Sequence, residues 1–184
     1  MENDSMNKQP HNAHIVPRAR RQRGASLLEI IAYLGIAAIV VLGAVSMLGS
    51  AFGNAQANRT IEEVVSIRTG IKRLYMGQAA SYGQVAITEQ AIKSRVLPAT
   101  LAVNNNDVKN AWNGAVTITG ATSAFEIKYA AVPQDACISI LSGASGWSKV
   151  KVNATNDIVS FPITPTTANA SCAAGENEIT WTAT

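Results

Sequence analysis

Gly24-Ala25-Ser26-Leu27-Leu28-Glu29 joins a basic segment containing Arg18, Arg20, Arg21 and Arg23 to a long apolar run with one acid near its start. No charged side chain occurs from residue 30 to residue 58, and residues 30–52 are almost wholly apolar or small. About 20 such residues span a bilayer core as a helix, and at 1.5 Å per residue this run reaches roughly 35 Å. A carboxylate inside such a helix costs about 2.5–3.5 kcal/mol at the bilayer centre, which marks Glu29 as a functional candidate.

The basic balance of the chain is concentrated before this junction. Residues 1–24 hold Lys8, Arg18, Arg20, Arg21 and Arg23 against Glu2 and Asp4, whereas residues 25–184 hold ten basic and ten acidic side chains. Without the first segment the chain is formally neutral, so a nucleic-acid interface driven by net positive charge has no support. Arginines ahead of the apolar run hold that end in the cytoplasm. Cys137 and Cys172, the only cysteines, then lie in an oxidising compartment, where a disulfide is expected in preference to a metal or redox site.

Three readings of the apolar run compete. An ordinary secretory signal peptide would use Ala55-Gln56-Ala57 as its small-x-small cleavage site, but the run exceeds the usual 7–15 residues and opens on Glu29. A plain single-span anchor explains the length but leaves the acid without a role. The third reading accounts for both: Gly24 followed by Ala25-Ser26-Leu27-Leu28-Glu29 resembles the cleavage site of type IV prepilins, with glycine last in the leader and glutamate fifth in the mature chain. Related pilins more often begin their mature chain with a bulky apolar residue than with alanine.

The resemblance implies that residues 1–24 are a cytoplasmic leader removed after Gly24 by a membrane-embedded prepilin peptidase, which also methylates the new terminus at Ala25. Glu29 becomes the assembly glutamate, paired with the amino terminus of a neighbouring protomer and setting axial register. The physics suits that role. An α-amine has a pKa of about 7.7–8.0 and is mostly protonated at neutral pH. A carboxylate held among apolar helices is compensated by such an ammonium and costly without it.

No proline interrupts residues 25–97. Beyond the apolar run, Ile61, Val64, Ile67, Ile71, Leu74 and Tyr75 recur at three- and four-residue intervals, which predicts an amphipathic continuation over residues 54–76. Arg59, Glu62, Glu63, Arg68, Lys72 and Arg73 are expected on the remaining surface, and adjacent Glu62 and Glu63 point about 100° apart rather than forming a catalytic pair. The spacing predicts one helix of about 50 residues, near 75–80 Å long. Residues 25–53 form its transmembrane or filament-core half. Gly43, Gly49 and Gly53 lie there and are candidate points of helix flexibility, with Gly49 and Gly53 at the spacing that lets apolar helices approach closely.

Residues 77–184 read as a globular α/β head. Thr88 is a plausible N-cap for a short helix ending before Pro98. Asn104-Asn105-Asn106-Asp107 and Asn110-Ala111-Trp112-Asn113-Gly114 read as loop and turn. The second resembles the asparagine-rich, aromatic turn that precedes the pilin sheet. Strands are expected over residues 115–119, 124–131, 157–161 and 178–182. Phe125, Ile127 and Tyr129 alternate with Glu126, Lys128 and Ala130 as a half-buried strand requires. Residues 133–141 are a candidate helix with Cys137 on its buried face. The expected class is α+β, the type IV pilin fold: a long N-terminal helix, its apolar half protruding, packed against an antiparallel sheet, with a disulfide-bounded region 137–172.

Catalytic chemistry has little to stand on. His11 and His14, the only histidines, precede Gly24, and no phosphate-binding loop, dinucleotide fingerprint or Cys-x-x-Cys is present. No enzyme activity, cofactor or metal is expected. Sequons at Asn58, Asn153 and Asn169 carry little weight for a bacterial chain. The long leader, sizeable head and wide cysteine spacing look most like type IVb pilins. That implies a homopolymeric filament subunit for adhesion, aggregation or conjugative contact. The precursor would sit in the inner membrane of a Gram-negative cell, served by the prepilin peptidase, an assembly platform and an assembly ATPase, before entering an extracellular pilus (fimbrium). A minor pilin or type II secretion pseudopilin shares the same N-terminus. A membrane-anchored binding domain that never polymerises is the alternative from another class.

Overall fold

The structure, a computed structural model, describes residues 26–78, 81–155 and 157–184. The chain divides into two compact units, Met1–Gly43 and Ala44–Thr184. Helix α1, Leu27–Leu74, is continuous over 48 residues. Alanine, leucine and isoleucine dominate its first half, and the absence of proline leaves every backbone N–H free to bond. It ends in Tyr75–Gly77, where Gly77 takes a left-handed φ of 90°.

In the second unit, residues 44–74 of α1 lay one face on the head. Ala57, Val64, Ile67 and Ile71 are almost fully buried, and Ile61 and Tyr75 are half-buried beside them. Burial of each large member is worth about 1.5–3 kcal/mol, which fixes the helix far more firmly than its propensity. Gly70 admits the side chain of Val96, whose Cγ1 lies 2.2 Å from where a β-carbon would stand.

Against this face lies a four-stranded antiparallel sheet in the order β3-β4-β6-β5, made of β3 (Val116–Ala121), β4 (Ala124–Pro133), β5 (Lys149–Val152) and β6 (Glu176–Ala183). Val116, Ile118, Phe125, Ile127, Tyr129, Val150, Val152, Ile179 and Trp181 point inward, the period-2 consequence of pleating. A separate hairpin pairs β1 (Ala102–Asn104) with β2 (Asp107–Lys109) across Asn105-Asn106, and Asn105 takes a φ of 54°. Short helices α2 (Thr88–Lys93), α3 (Gln134–Ser142) and α4 (Pro165–Ser171) complete the head. The architecture is α+β, as the sequence predicts.

Both outer edges of the sheet are covered. Ile87 N–H donates to Ile118 O and Gly120 N–H to Val85 O along β3, while Val150 and Ile158 exchange two hydrogen bonds along β5. Such covers suppress unwanted edge-to-edge pairing.

Several expectations need correction. Residues 157–161 are not a strand: only Ile158 bridges, to Val150, and the strand beside β6 is Lys149–Val152. Helix α4 was not predicted, although Thr164 caps it by accepting from Thr167 N–H at 3.2 Å with Pro165 in its first turn. Thr88 is not a cap. Its hydroxyl accepts from Ile118 N–H at 2.8 Å and donates to Ile118 O at 3.2 Å, pinning α2 to β3. Glu63 leaves the predicted surface: it is 5% exposed, whereas Glu62 is exposed.

Candidate functional site

Glu29 lies in the first turn of α1, where the helix dipole favours a carboxylate. Its Oε1 accepts from the Tyr33 hydroxyl at 3.1 Å, one turn along the same helix. Fifteen large apolar side chains between Leu27 and Phe52 are 45–80% exposed. The run is therefore long and apolar enough to cross a membrane and carries no protein cover of its own. Gly24 and Ala25 lie outside the described residues, as do His11 and His14.

Gly43, Gly49 and Gly53 are all helical. A β-carbon at Gly43 or Gly49 meets nothing within 4 Å among the described residues. Gly53 differs. Asp135 Oδ2, in the first turn of α3, stands 3.1 Å from the β-carbon position, so this glycine makes room for α3 beside α1.

Cys137 on α3 and Cys172 at the end of α4 form a disulfide, with Cα atoms 6.0 Å apart and both residues buried. Asn177 organises the neighbouring loop: its Oδ1 accepts from Ala173 N–H at 2.8 Å and from Asn153 Nδ2 at 2.9 Å. Asn153 Oδ1 in turn accepts from Glu178 N–H at 2.8 Å. Both ends of the Asn153 amide are thus engaged in joining this loop to β6.

The Asn110–Gly114 turn is built around one buried amide. Asn110 Oδ1 accepts from Trp112 N–H at 3.0 Å and Gly114 N–H at 2.9 Å, and its Nδ2 donates to Ala130 O at 2.8 Å. That carbonyl sits where the β4–β6 register shifts between Tyr129 and Val132, with Ala131 at a φ of 56°. Gly114 is obligatory, since a β-carbon would lie 1.8 Å from Ala130 O.

Two α1 side chains expected on the surface fasten the helix to the head. The Glu63 carboxylate accepts from the Tyr129 hydroxyl at 3.4 Å, with Arg59 Nε 3.9 Å away. Burial, reinforced by that carboxylate, pushes the Tyr129 hydroxyl far above the ordinary tyrosine value. Arg68 stacks over Trp147, 4.6 Å from the ring centroid, and donates to the carbonyls of Gly146 and Ser145. Spacing along α1 did not reveal either contact, because each partner lies more than sixty residues away.

Among the described residues no group of three or more His, Cys, Asp or Glu side chains is arranged to hold a metal ion. The sheet's solvent face carries paired charges, Lys128 with Glu178 and Lys149 with Asp157, each spent on its partner.

An unpartnered apolar helix headed by a glutamate, its amphipathic continuation laid on an antiparallel sheet, and a disulfide-closed C-terminal region together define a type IV pilin. The family model described as PilS N terminal matches residues 54–184, and the chain belongs to that family. Two curated relatives, from Escherichia coli O111:H- and Escherichia coli O127:H6 (strain E2348/69 / EPEC), are each named as the major structural subunit of bundle-forming pilus. Each is 25% identical over 152 residues, covering 76% of this chain and 76% of the relative. Homologues of this kind are structural subunits rather than enzymes.

Proposed function

We propose that this chain is the structural subunit of a type IVb pilus. Residues 1–24 are its leader, removed after Gly24 by a prepilin peptidase that methylates Ala25. Residues 25–53 anchor the precursor in the inner membrane and then form the filament core. Residues 54–76 bind the helix to the head formed by residues 77–184. The polymer is a homopolymer raised by an assembly platform and ATPase into an extracellular fibre of a Gram-negative cell, serving adhesion, aggregation or conjugative contact. The chain itself performs no catalysis, takes no cofactor and binds no nucleic acid directly.

The observation that carries this reading is the position of Glu29. It heads an apolar helix without cover from the described residues, among which its only side-chain partner is Tyr33, a neutral hydroxyl on the same helix. A neutral donor offsets only part of the cost of an apolar setting, so the carboxylate calls for a cation from elsewhere. The methylated amine of a neighbouring Ala25 supplies one. The names of the two relatives support the same reading.

Glu29→Val tests it in cells that carry the assembly machinery. Mass spectrometry is expected to show cleavage and methylation at Ala25 in both chains, with sheared filaments recovered only from the unaltered one. Normal filament yield from Glu29→Val would sink the reading. A terminus at Asn58 would restore an ordinary signal peptide, and a membrane-held monomer in the presence of the machinery would leave an anchored binding domain.

A further inference from the structure

Charge on the head is not evenly matched. Five ion pairs engage Arg59, Lys93, Lys109, Lys128 and Lys149 with carboxylates. Arg68 is occupied by Trp147 and two carbonyls. Lys151, on β5, and Lys72, Arg73 and Arg95 are exposed and have no carboxylate partner among the described residues, and of these the last three lie together. They line two adjoining grooves that share Thr69 and Arg73. One, of about 490 Å³, holds Lys72, and the other, of about 400 Å³, holds Arg95. Exposed Met76 adds an apolar side chain to the lining of the first.

The negative end of the α1 dipole favours cations in its last turn, which accounts for Lys72 and Arg73. It does not account for Arg95, which follows α2 and takes a φ of 54°, a conformation that glycine adopts more readily. A long cation is held beside the other two at a position where local structure asks for a different residue.

The exposed acids without a cation include Glu62 on α1, and Asp135 and Glu176. Pro133 pairs in register with Glu176, and Asp135 lies two residues beyond Pro133, so both occupy one corner of the head. Asp135 Oδ2 stands 3.1 Å from where a Gly53 β-carbon would be, which places that corner beside the start of the packed half of α1. The basic grooves flank its other end. The path from Gly53 to Arg73 is about 30 Å along the helix, several times the screening length of about 8 Å at physiological salt. Within one head the two patches cannot neutralise each other.

We propose that these grooves receive the Asp135/Glu176 corner of a second copy of the chain, forming a head-to-tail contact between heads. This rests on the pilus reading and adds the residues that join its outer shell. Opposite patches at opposite ends of one subunit form a heterologous interface, and such an interface that does not close propagates as a filament. Complementary charge contributes selectivity and orientation to that contact, and high salt weakens it.

The test uses the full-length chain in cells with the assembly machinery and measures sheared, pelleted filaments. Lys72→Glu, Arg73→Glu and Arg95→Glu together form one variant; Asp135→Lys and Glu176→Lys form another; a third carries all five. Each partial reversal is expected to lower filament yield by about tenfold or more, and the complete reversal to restore it. Oxidised Cys137–Cys172 on non-reducing gels checks that each head has folded. A milder variant, Lys72→Gln with Arg73→Gln and Arg95→Gln, is expected to yield filaments whose recovery no longer falls with added salt. Unchanged yield from either partial reversal overturns the proposal, as does failure of the folded fivefold variant to recover. Loss in the basic variant alone overturns it too and assigns the grooves to an acidic partner of another kind. Filaments from the unaltered chain keep the pilus reading intact in each of these cases; their absence overturns both.

Discussion

Removal of the disulfide gives the sharpest measure of what holds the head together. Cys137 and Cys172 are 35 residues apart, and the loop between them contains the rest of α3, all of β5 and α4. In the chain-entropy model, closing a loop of that length removes about 4 kcal/mol of freedom from the unfolded chain. The loop needs the constraint, because α4 is seven residues long and β5 four, each too short to persist alone. Cys137→Ala with Cys172→Ala is therefore expected to destabilise the head by about 4 kcal/mol, plus a smaller packing loss at two buried sulfurs. With a urea dependence of about 2 kcal/mol per molar, the unfolding midpoint falls by roughly 2 M. Fluorescence of the detergent-solubilised chain reports this directly. Trp147 and Trp181 are buried with ring centroids 6.2 Å apart, and Trp147 precedes β5 within the loop. Unaltered chain unfolded with and without reductant supplies the comparison free of substitution. A midpoint difference below about 0.5 M would refute the loop-closure argument.

The remaining predictions concern the polar contacts of the head and the two assembly elements. Asn110→Ala strands buried Gly114 N–H and Ala130 O, costing about 3 kcal/mol; the melting temperature should fall by roughly 6–12 °C, and a fall below 3 °C would contradict the role given to this amide. The hydrogen bond to Asp157 holds the Lys149 ammonium above the usual lysine value. Its contribution is fully present below about pH 10.5, the unfolded value, and is lost as pH rises through the higher folded value; the melting difference between the unaltered chain and Asp157→Asn should shrink across that window and stay constant from pH 7 to 9. Glu29→Val should separate processing from polymerisation, read by terminal mass spectrometry and filament yield. Charge reversal at Lys72, Arg73 and Arg95 should be rescued by reversal at Asp135 and Glu176, read by pelleted filament.

The parts of the fold legible in sequence are those governed by a long, uninterrupted period. Ile61, Val64, Ile67 and Ile71 announce the packed face of α1, and all contact the core. Phe125, Ile127 and Tyr129 announce β4 in the same way and are completely buried. Short elements lack that statistical weight. Lys149-Val150-Lys151-Val152 alternates correctly, but four residues are too few to stand out against the β-branched pair Ile158-Val159, which forms only a bridge. Helix α4 shows its start signals, Thr164 and Pro165, yet has no apolar stripe because only Ala168 is buried. Glu63, Arg68 and Asn110 were illegible for another reason. Their partners Tyr129, Gly146 and Ala130 are brought to them by the tertiary fold, and no local spacing encodes the meeting. At the proposed processing and assembly site the position is reversed. Gly24 and Ala25 are read from the sequence alone, whereas the structure adds to Gly53 a neighbour, Asp135, that no spacing announces.

That difference bears on what drives assembly. Fifteen exposed apolar side chains on α1 would cost tens of kcal/mol in water, at about 1.5–3 kcal/mol each, so release of a free subunit is prohibited. The same side chains are already satisfied in a bilayer, whose acyl chains are as apolar as leucine. Moving α1 from lipid into a bundle of identical helices therefore gains little from the hydrophobic effect, which confines the subunit to two environments without choosing between them. The choice falls to interactions that lipid cannot provide. Glu29 has no cation partner on its own helix among the described residues, and in the assembly proposed above a neighbouring amino terminus would supply one. The grooves beside Lys72, Arg73 and Arg95 are likewise without carboxylates among the described residues, and the proposed contact would bring them from a second head. Apolar surface thus keeps the subunit out of water, and in the proposed assembly a small number of unmatched charges along α1 would select the fibre over the membrane and set its register.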